Sequence, residues 1–115
     1  MSLSFDNYQD QAATTAIYPQ ARTGSFNAVS YALLGLGNEA GEVQGKLKKV
    51  WRDNEGVIDH ERAEGIADEL GDVLWYLAAA ATELGYSLSE LGERNLAKLF
   101  SRKERGVIGG SGDNR

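Results

Sequence analysis

The sequence predicts an all-α domain, a bundle of about four helices that associates with further copies of itself. Apolar residues recur at steps of three and four over two long stretches. Residues suited to capping helices flank those stretches, and no segment shows the strict alternation of a strand.

Each element has its own signal. Ser4-Phe-Asp-Asn starts a first helix that runs through Tyr8, Ala12 and Ala16, with Pro19 marking its end. After a loop containing Gly24, a long helix runs from about Ser25 to Asn54, with Gly56 as its stop. Its apolar stripe is Val29, Leu33, Leu36, Ala40, Val43, Leu47 and Val50. Asp59 caps a second long helix that ends near Gly85, with the stripe Ile66, Leu70, Val73, Leu77, Ala81 and Leu84. Ser87-Leu-Ser-Glu90 is a capping box that opens a last helix to about Lys103. From Gly106 the composition changes to a Gly-rich tail, so the expected division is a helical domain over 1–105 and a tail over 106–115. That tail reads either as a disordered terminus or as a mobile lid whose backbone N–H groups and Arg115 approach phosphate. It follows a helix where a P-loop would open one.

With 115 residues, 42% hydrophobic and 25% charged, the chain suits one soluble domain with a modest core. No apolar run approaches a membrane span, the start lacks a signal-peptide pattern, and cysteine is absent, so the cytoplasm is the expected compartment. A net charge of −5 argues against nucleic acid held on a broad basic surface. Two long stripes beside two shorter helices leave little core for a monomer. A homodimer or homotetramer built partly from the Val29–Val50 and Ile66–Leu84 helices is therefore expected.

Chemistry concentrates in Glu39-Ala-Gly-Glu42 and Glu69-Leu-Gly-Asp72. Carboxylates three apart share one helix face and can hold a cation together. Each pair stands one residue before a stripe position, rotated from its stripe in the same sense. Antiparallel packing, favoured by the short link around Glu55–Asp59, brings both pairs to one side of the contact and to similar heights. Four such oxygen donors suit Mg²⁺, with Mn²⁺ as a substitute, and would repel one another without a cation. Di-iron carboxylate bundles use Glu-x-x-His pairs, which neither Glu42 nor Glu69 begins. The single histidine, His60, reads as a first-turn surface residue.

Around this set, Tyr76 continues the Glu69 and Asp72 face. Asn95, Lys98 and Arg102 form one polar face of the last helix, suited to clamping phosphates. Of Lys46, Lys48 and Lys49, at most two can face the carboxylates, and Lys49 is the candidate phosphate contact. Trp51 and Trp75 are read first as core and second as base-stacking residues.

Asn38-Glu39-Ala-Gly-Glu42, Glu69-Leu-Gly-Asp72 and the later Asn95, Lys98 and Arg102 together resemble the MazG-like nucleoside triphosphate pyrophosphohydrolases, over roughly residues 28 to 105. The resemblance implies that Glu39, Glu42, Glu69 and Asp72 bind Mg²⁺ and carry catalysis. It also implies that Tyr76, Asn95 and Lys98 contact substrate. A (deoxy)nucleoside triphosphate is then cleaved to the monophosphate and pyrophosphate, for nucleotide-pool housecleaning or control of a dNTP level, in a dimer or tetramer. The family pattern opens with a further Glu where this chain has Asn38. Two other classes compete: a nucleotide-binding regulatory module without turnover, and a purely structural helical oligomer.

Overall fold

The computed structural model describes residues 2–115 and contains four helices: α1 (Phe5–Ala13), α2 (Phe26–Asp53), α3 (His60–Leu84) and α4 (Leu88–Glu104). No strand occurs among the described residues, so the all-α expectation holds. Every predicted N-cap is used. The side chains of Ser4, Ser25 and Asp59 accept from the backbone N–H of Asn7, Ala28 and Arg62. Ser87 and Glu90 form the reciprocal capping box. Gly85 closes α3 at φ 83°, a conformation in which a Cβ would be strained.

The end of α1 departs from expectation. It stops at Ala13, because the hydroxyls of Thr14 and Thr15 turn back onto the carbonyls of Gln11 and Ala12 (2.6 and 2.7 Å). The Arg22 guanidinium then donates to the carbonyls of Ala13 and Ala16, where helical partners would otherwise be needed. Ala16 thus leaves the helix and joins Tyr18 and Ala28 in a buried cluster.

α2 and α3 form an antiparallel hairpin and share the most extensive contact in the chain. Small residues line the contact: Ala28 and Ala32 of α2 are buried, with Ala79 of α3 packed against the cluster that holds Ala28, whereas Ala78 and Ala81 of α3 are buried on the other side with Leu88, Tyr8 and Leu91. The closest approach is at Gly35, where a Cβ would stand 2.1 Å from the Tyr76 ring. The predicted apolar stripes do not fill this seam. Leu33 and Leu47 are 48% and 52% exposed, and Leu70, Leu77 and Leu84 are also exposed. The physical reason is size, since rows of leucine would hold the backbones too far apart for Gly35 and Tyr76 to touch. The helices pack instead on the neighbouring face, which carries Glu39 and Glu69.

Two buried polar groups tie the rest to this hairpin. Gln9 of α1 donates to Thr82 Oγ1 (3.0 Å) and the Tyr86 carbonyl (2.9 Å), and accepts from the Leu88 N–H (2.8 Å). Asp6 accepts from the Ser89 N–H (3.1 Å). Two backbone donors at the start of α4, otherwise unsatisfied, therefore find their acceptors on α1. Glu83 of α3 accepts from the Tyr18 hydroxyl and from the backbone N–H of Arg22 (2.8 Å) and Gly24 (2.9 Å), pinning the loop between α1 and α2. Burial pushes the Glu83 carboxyl up, but these donors outweigh it and hold the group below its ordinary value. Burial and the Glu83 contact push the Tyr18 hydroxyl well above the usual phenol range.

Because the folded state favours ionised Glu83, its contribution is complete above the unfolded carboxyl value and disappears as pH falls through the lower folded value. Replacing Glu83 by Gln should cost about 2 kcal/mol at neutral pH, the scale of hydrogen bonds to a charged group. In urea melts the difference between wild type and Glu83→Gln should shrink as both are taken to acid. A gap of equal size at both pH values would contradict this account.

Candidate metal centre

The α2–α3 seam aligns two ridges. Tyr31, Gly35 and Glu39 follow at four-residue steps on α2, while Glu69, Asp72 and Tyr76 share a face of α3. Antiparallel packing through Gly35 sets these ridges against each other. One carboxylate oxygen each from Glu39, Glu69 and Asp72 lies within 4.8 Å of the others. Glu39 and Glu69 are half-buried and Asp72 is exposed, so the cluster opens to solvent on one side.

Burial first, then the charges of Asp72, Glu69 and Glu42, push the Glu39 carboxyl up. The neighbouring charges that dominate here are all negative. The cluster therefore carries an electrostatic cost that a bound cation relieves. All its donors are carboxylate oxygens, and the chain has no cysteine, so the set fits a hard divalent ion.

The predicted residues separate into groups. Glu39, Glu69 and Asp72 come together, whereas Glu42 is exposed and outside the cluster, although its charge reaches Glu39. Tyr76 lies beside the cluster. Burial, then the adjacent Tyr31, then the charges of Glu39 and Asp72 hold its hydroxyl above the ordinary range. Lys49 lines a groove nearer the hairpin turn, with Lys46, Asp53, Glu61 and Asp68. Asn95, Lys98 and Arg102 lie on α4, which makes no contact with α2 among the described residues. Lys98 and Arg102 instead meet Asp113 of the tail.

The tryptophans divide. Trp75 packs against the buried cluster and donates its Nε1–H to Thr15 Oγ1 (2.9 Å), while Trp51 is 79% exposed. His60 pairs with Glu64 on the surface, as its position suggests. Sequence reasoning passed over Tyr31, which stacks on Tyr18 (4.9 Å between centroids, 11° between planes) and lies 6.4 Å from Tyr76. Its spacing from Glu39 is the signal that would have found it. Gly35, by contrast, is one of the four α2 glycines, with Gly37, Gly41 and Gly45, that the sequence offers for close helix approach, and its missing side chain makes room for Tyr76.

No helix among the described residues is long and apolar enough to cross a membrane. No solved structure matches the chain. The gene 37 protein of Mycobacterium phage L5 is 52% identical over 111 residues, spanning 96% of this chain and 97% of that protein. The model of the MazG nucleotide pyrophosphohydrolase domain matches residues 29–107, a span that contains the carboxylate cluster, the whole of α3 and the polar face of α4. With most of its length so matched, the chain belongs to the MazG nucleotide pyrophosphohydrolase domain family.

Proposed function

We propose that this protein hydrolyses (deoxy)nucleoside triphosphates to the monophosphate and pyrophosphate in a Mg²⁺-dependent reaction. The observation that carries the proposal is the convergence of Glu39, Glu69 and Asp72 across the α2–α3 seam, inside the span matched to the family. The expected role is nucleotide-pool housecleaning or control of a dNTP level, in the cytoplasm where free nucleotides are dissolved.

Glu39, Glu69 and Asp72 would hold Mg²⁺, or Mn²⁺ in its place, with Glu42 reaching in from the next turn of α2. When bound, such an ion neutralises charge on the phosphates and makes a water more acidic. A glutamate of the set would accept the proton of the attacking water. Tyr76 holds sugar or phosphate beside the cluster. Asn95, Lys98 and Arg102 clamp the phosphates, and Lys49 adds positive charge at the hairpin end.

α4 does not reach α2 within one chain, so the clamp completes the site of another subunit in a homodimer or homotetramer. The exposed apolar side chains support assembly: Phe26, Leu34 and Trp51 on α2, Leu70 on α3 and Phe100 on α4 are all exposed. Light scattering at micromolar protein should give a dimer or tetramer mass. An active monomer would refute both the assembly and the shared site.

Chelator should abolish hydrolysis. Glu42→Gln or Asp72→Asn should each lower the rate at least about a hundredfold, the scale of a strong electrostatic contributor. Mg²⁺ should raise the melting temperature of the wild type and leave that of Asp72→Asn nearly unchanged. Full activity in chelator would end the metal assignment.

With hydrolysis run in ¹⁸O water, the label should enter the nucleoside monophosphate. Early nucleoside diphosphate and orthophosphate, or label only in pyrophosphate, would show attack at another phosphorus.

A further inference from the structure

Arg102 stands on an otherwise exposed stretch of α4, yet it is only 5% exposed. The tail covers it. Its Nη2 donates to the carbonyls of Gly112 (3.4 Å) and Asp113 (3.3 Å) and to Asp113 Oδ1 (3.2 Å). Lys98 Nζ donates to the same Oδ1 (3.1 Å). One carboxylate oxygen is thus shared by two cations. The Arg102 Nε–H, buried in the same place, has no acceptor at all.

A guanidinium binds anions best when Nε and an adjacent Nη donate together to two oxygens. Asp113 offers only a single oxygen here, through contacts longer than those of a good charge-assisted pair. A phosphate group, with several oxygens in a tetrahedron, satisfies Nε, Nη2 and Lys98 at once. The seat is therefore better matched to phosphate than to its present occupant.

The tail is folded to hold that occupant in place. Arg115 donates to the carbonyls of Val107, Ile108, Gly109 and Gly112, and Arg105 donates to the Arg115 carbonyl (2.8 Å). Gly106, Gly110 and Gly112 at positive φ let residues 106–115 turn back onto α4. Because Arg115 is spent inside this loop, the tail supplies a carboxylate to α4 and not a cation to a ligand. The hydrogen bonds from Lys98 and Arg102 hold the Asp113 carboxyl below the usual range.

We propose that Asp113 is an internal competitor for the polyphosphate of the substrate: its carboxylate occupies the Lys98–Arg102 seat, and a polyphosphate must displace the tail to bind there. This rests on the reading of Lys98 and Arg102 as the phosphate clamp, and adds that the closed tail raises the nucleotide concentration needed to fill it. At low nucleotide the clamp is closed by the chain itself. At high nucleotide the tail is released and the clamp is filled.

The test uses inorganic tripolyphosphate in chelator, titrated calorimetrically into the full-length wild type, Asp113→Asn and Asp113→Asn/Arg102→Ala. Asp113 is largely exposed, so its substitution leaves the fold intact, which circular dichroism checks. Asp113→Asn should bind tripolyphosphate about fivefold more tightly than wild type, the size of one partly exposed ion pair. The gain should vanish when Arg102 is also removed. In wild type, saturating tripolyphosphate should speed amide exchange over residues 107–115. Equal or weaker binding by Asp113→Asn, no binding by either protein, or unchanged exchange at saturation would overturn the proposal. Nucleotide turnover is scored separately. Tighter binding by Asp113→Asn without hydrolysis would uphold the competitor and sink the enzymatic reading. Hydrolysis with identical tripolyphosphate binding would do the reverse.

Discussion

The close approach of α2 and α3 at Gly35 governs this molecule. Tyr76 fills the space a side chain at position 35 would take, so the two backbones run together on their small residues. That contact fixes both the separation and the rotation of the helices. Once fixed, Glu39 has no choice but to face Glu69 and Asp72. The cluster is a by-product of packing in one sense, because no hydrogen bond between its members is needed to assemble it. In another sense it strains the packing, since like charges gather where apolar contact would be more favourable. A seam of alanine and glycine contributes less apolar burial than one of leucine. The hairpin thus gives up stability at the place where it gains a cation-binding geometry.

The helices were legible in the sequence because their limits are set locally. Ser4, Ser25, Asp59 and Ser87 each cap through atoms three residues away, and Gly85 needs only its own backbone freedom. The meeting of Glu39 with Glu69 and Asp72 was legible for a similar reason, as the spacing and shared rotation of these residues bring them to one side of an antiparallel pair. What covers an apolar row was not legible. Periodicity places Leu33 and Leu47 on one row and Leu70 on another, but not whether the neighbour of each is another helix of the same chain. The shortened α1 escaped because Thr14 and Thr15 compete with the helix through side chains, which an apolar pattern does not register. Glu42 was grouped with Glu39 by helical spacing alone. The contact distance then separates them, because the hairpin aims only one turn of α2 at the α3 pair. The pairing of Asp113 with Lys98 and Arg102 depends on how a glycine-rich segment folds back, which no local pattern encodes.

Charge is handled in opposite ways at buried Glu83 and half-buried Glu39. Glu83 is surrounded by donors, so it is ionised and structural. Glu39 is surrounded by other carboxylates and lacks comparable relief within the chain. The same side-chain type, on neighbouring faces of one hairpin, thus serves as a fastener in one place and as an unsatisfied acceptor in the other. The difference lies entirely in what the adjoining segments present: N–H groups of the α1–α2 loop around Glu83, and acidic side chains around Glu39.

The Gln9 bridge has a consequence for the order in which the molecule is built. The α2–α3 hairpin needs only a short turn to close, so its contacts form cheaply in entropy. α1 is nine residues long, too short to persist as a helix in isolation, and its bonds to Thr82 and Leu88 join segments more than seventy residues apart in the chain. It must therefore dock onto a hairpin that already exists. Since that docking supplies the donors' partners at the start of α4, the direction in which α4 leaves the hairpin is settled late in folding. A chain that lost this bridge would keep the helix pair that forms its acidic cluster, while the helix bearing Lys98 and Arg102 would lose the acceptors that α1 gives its first turn.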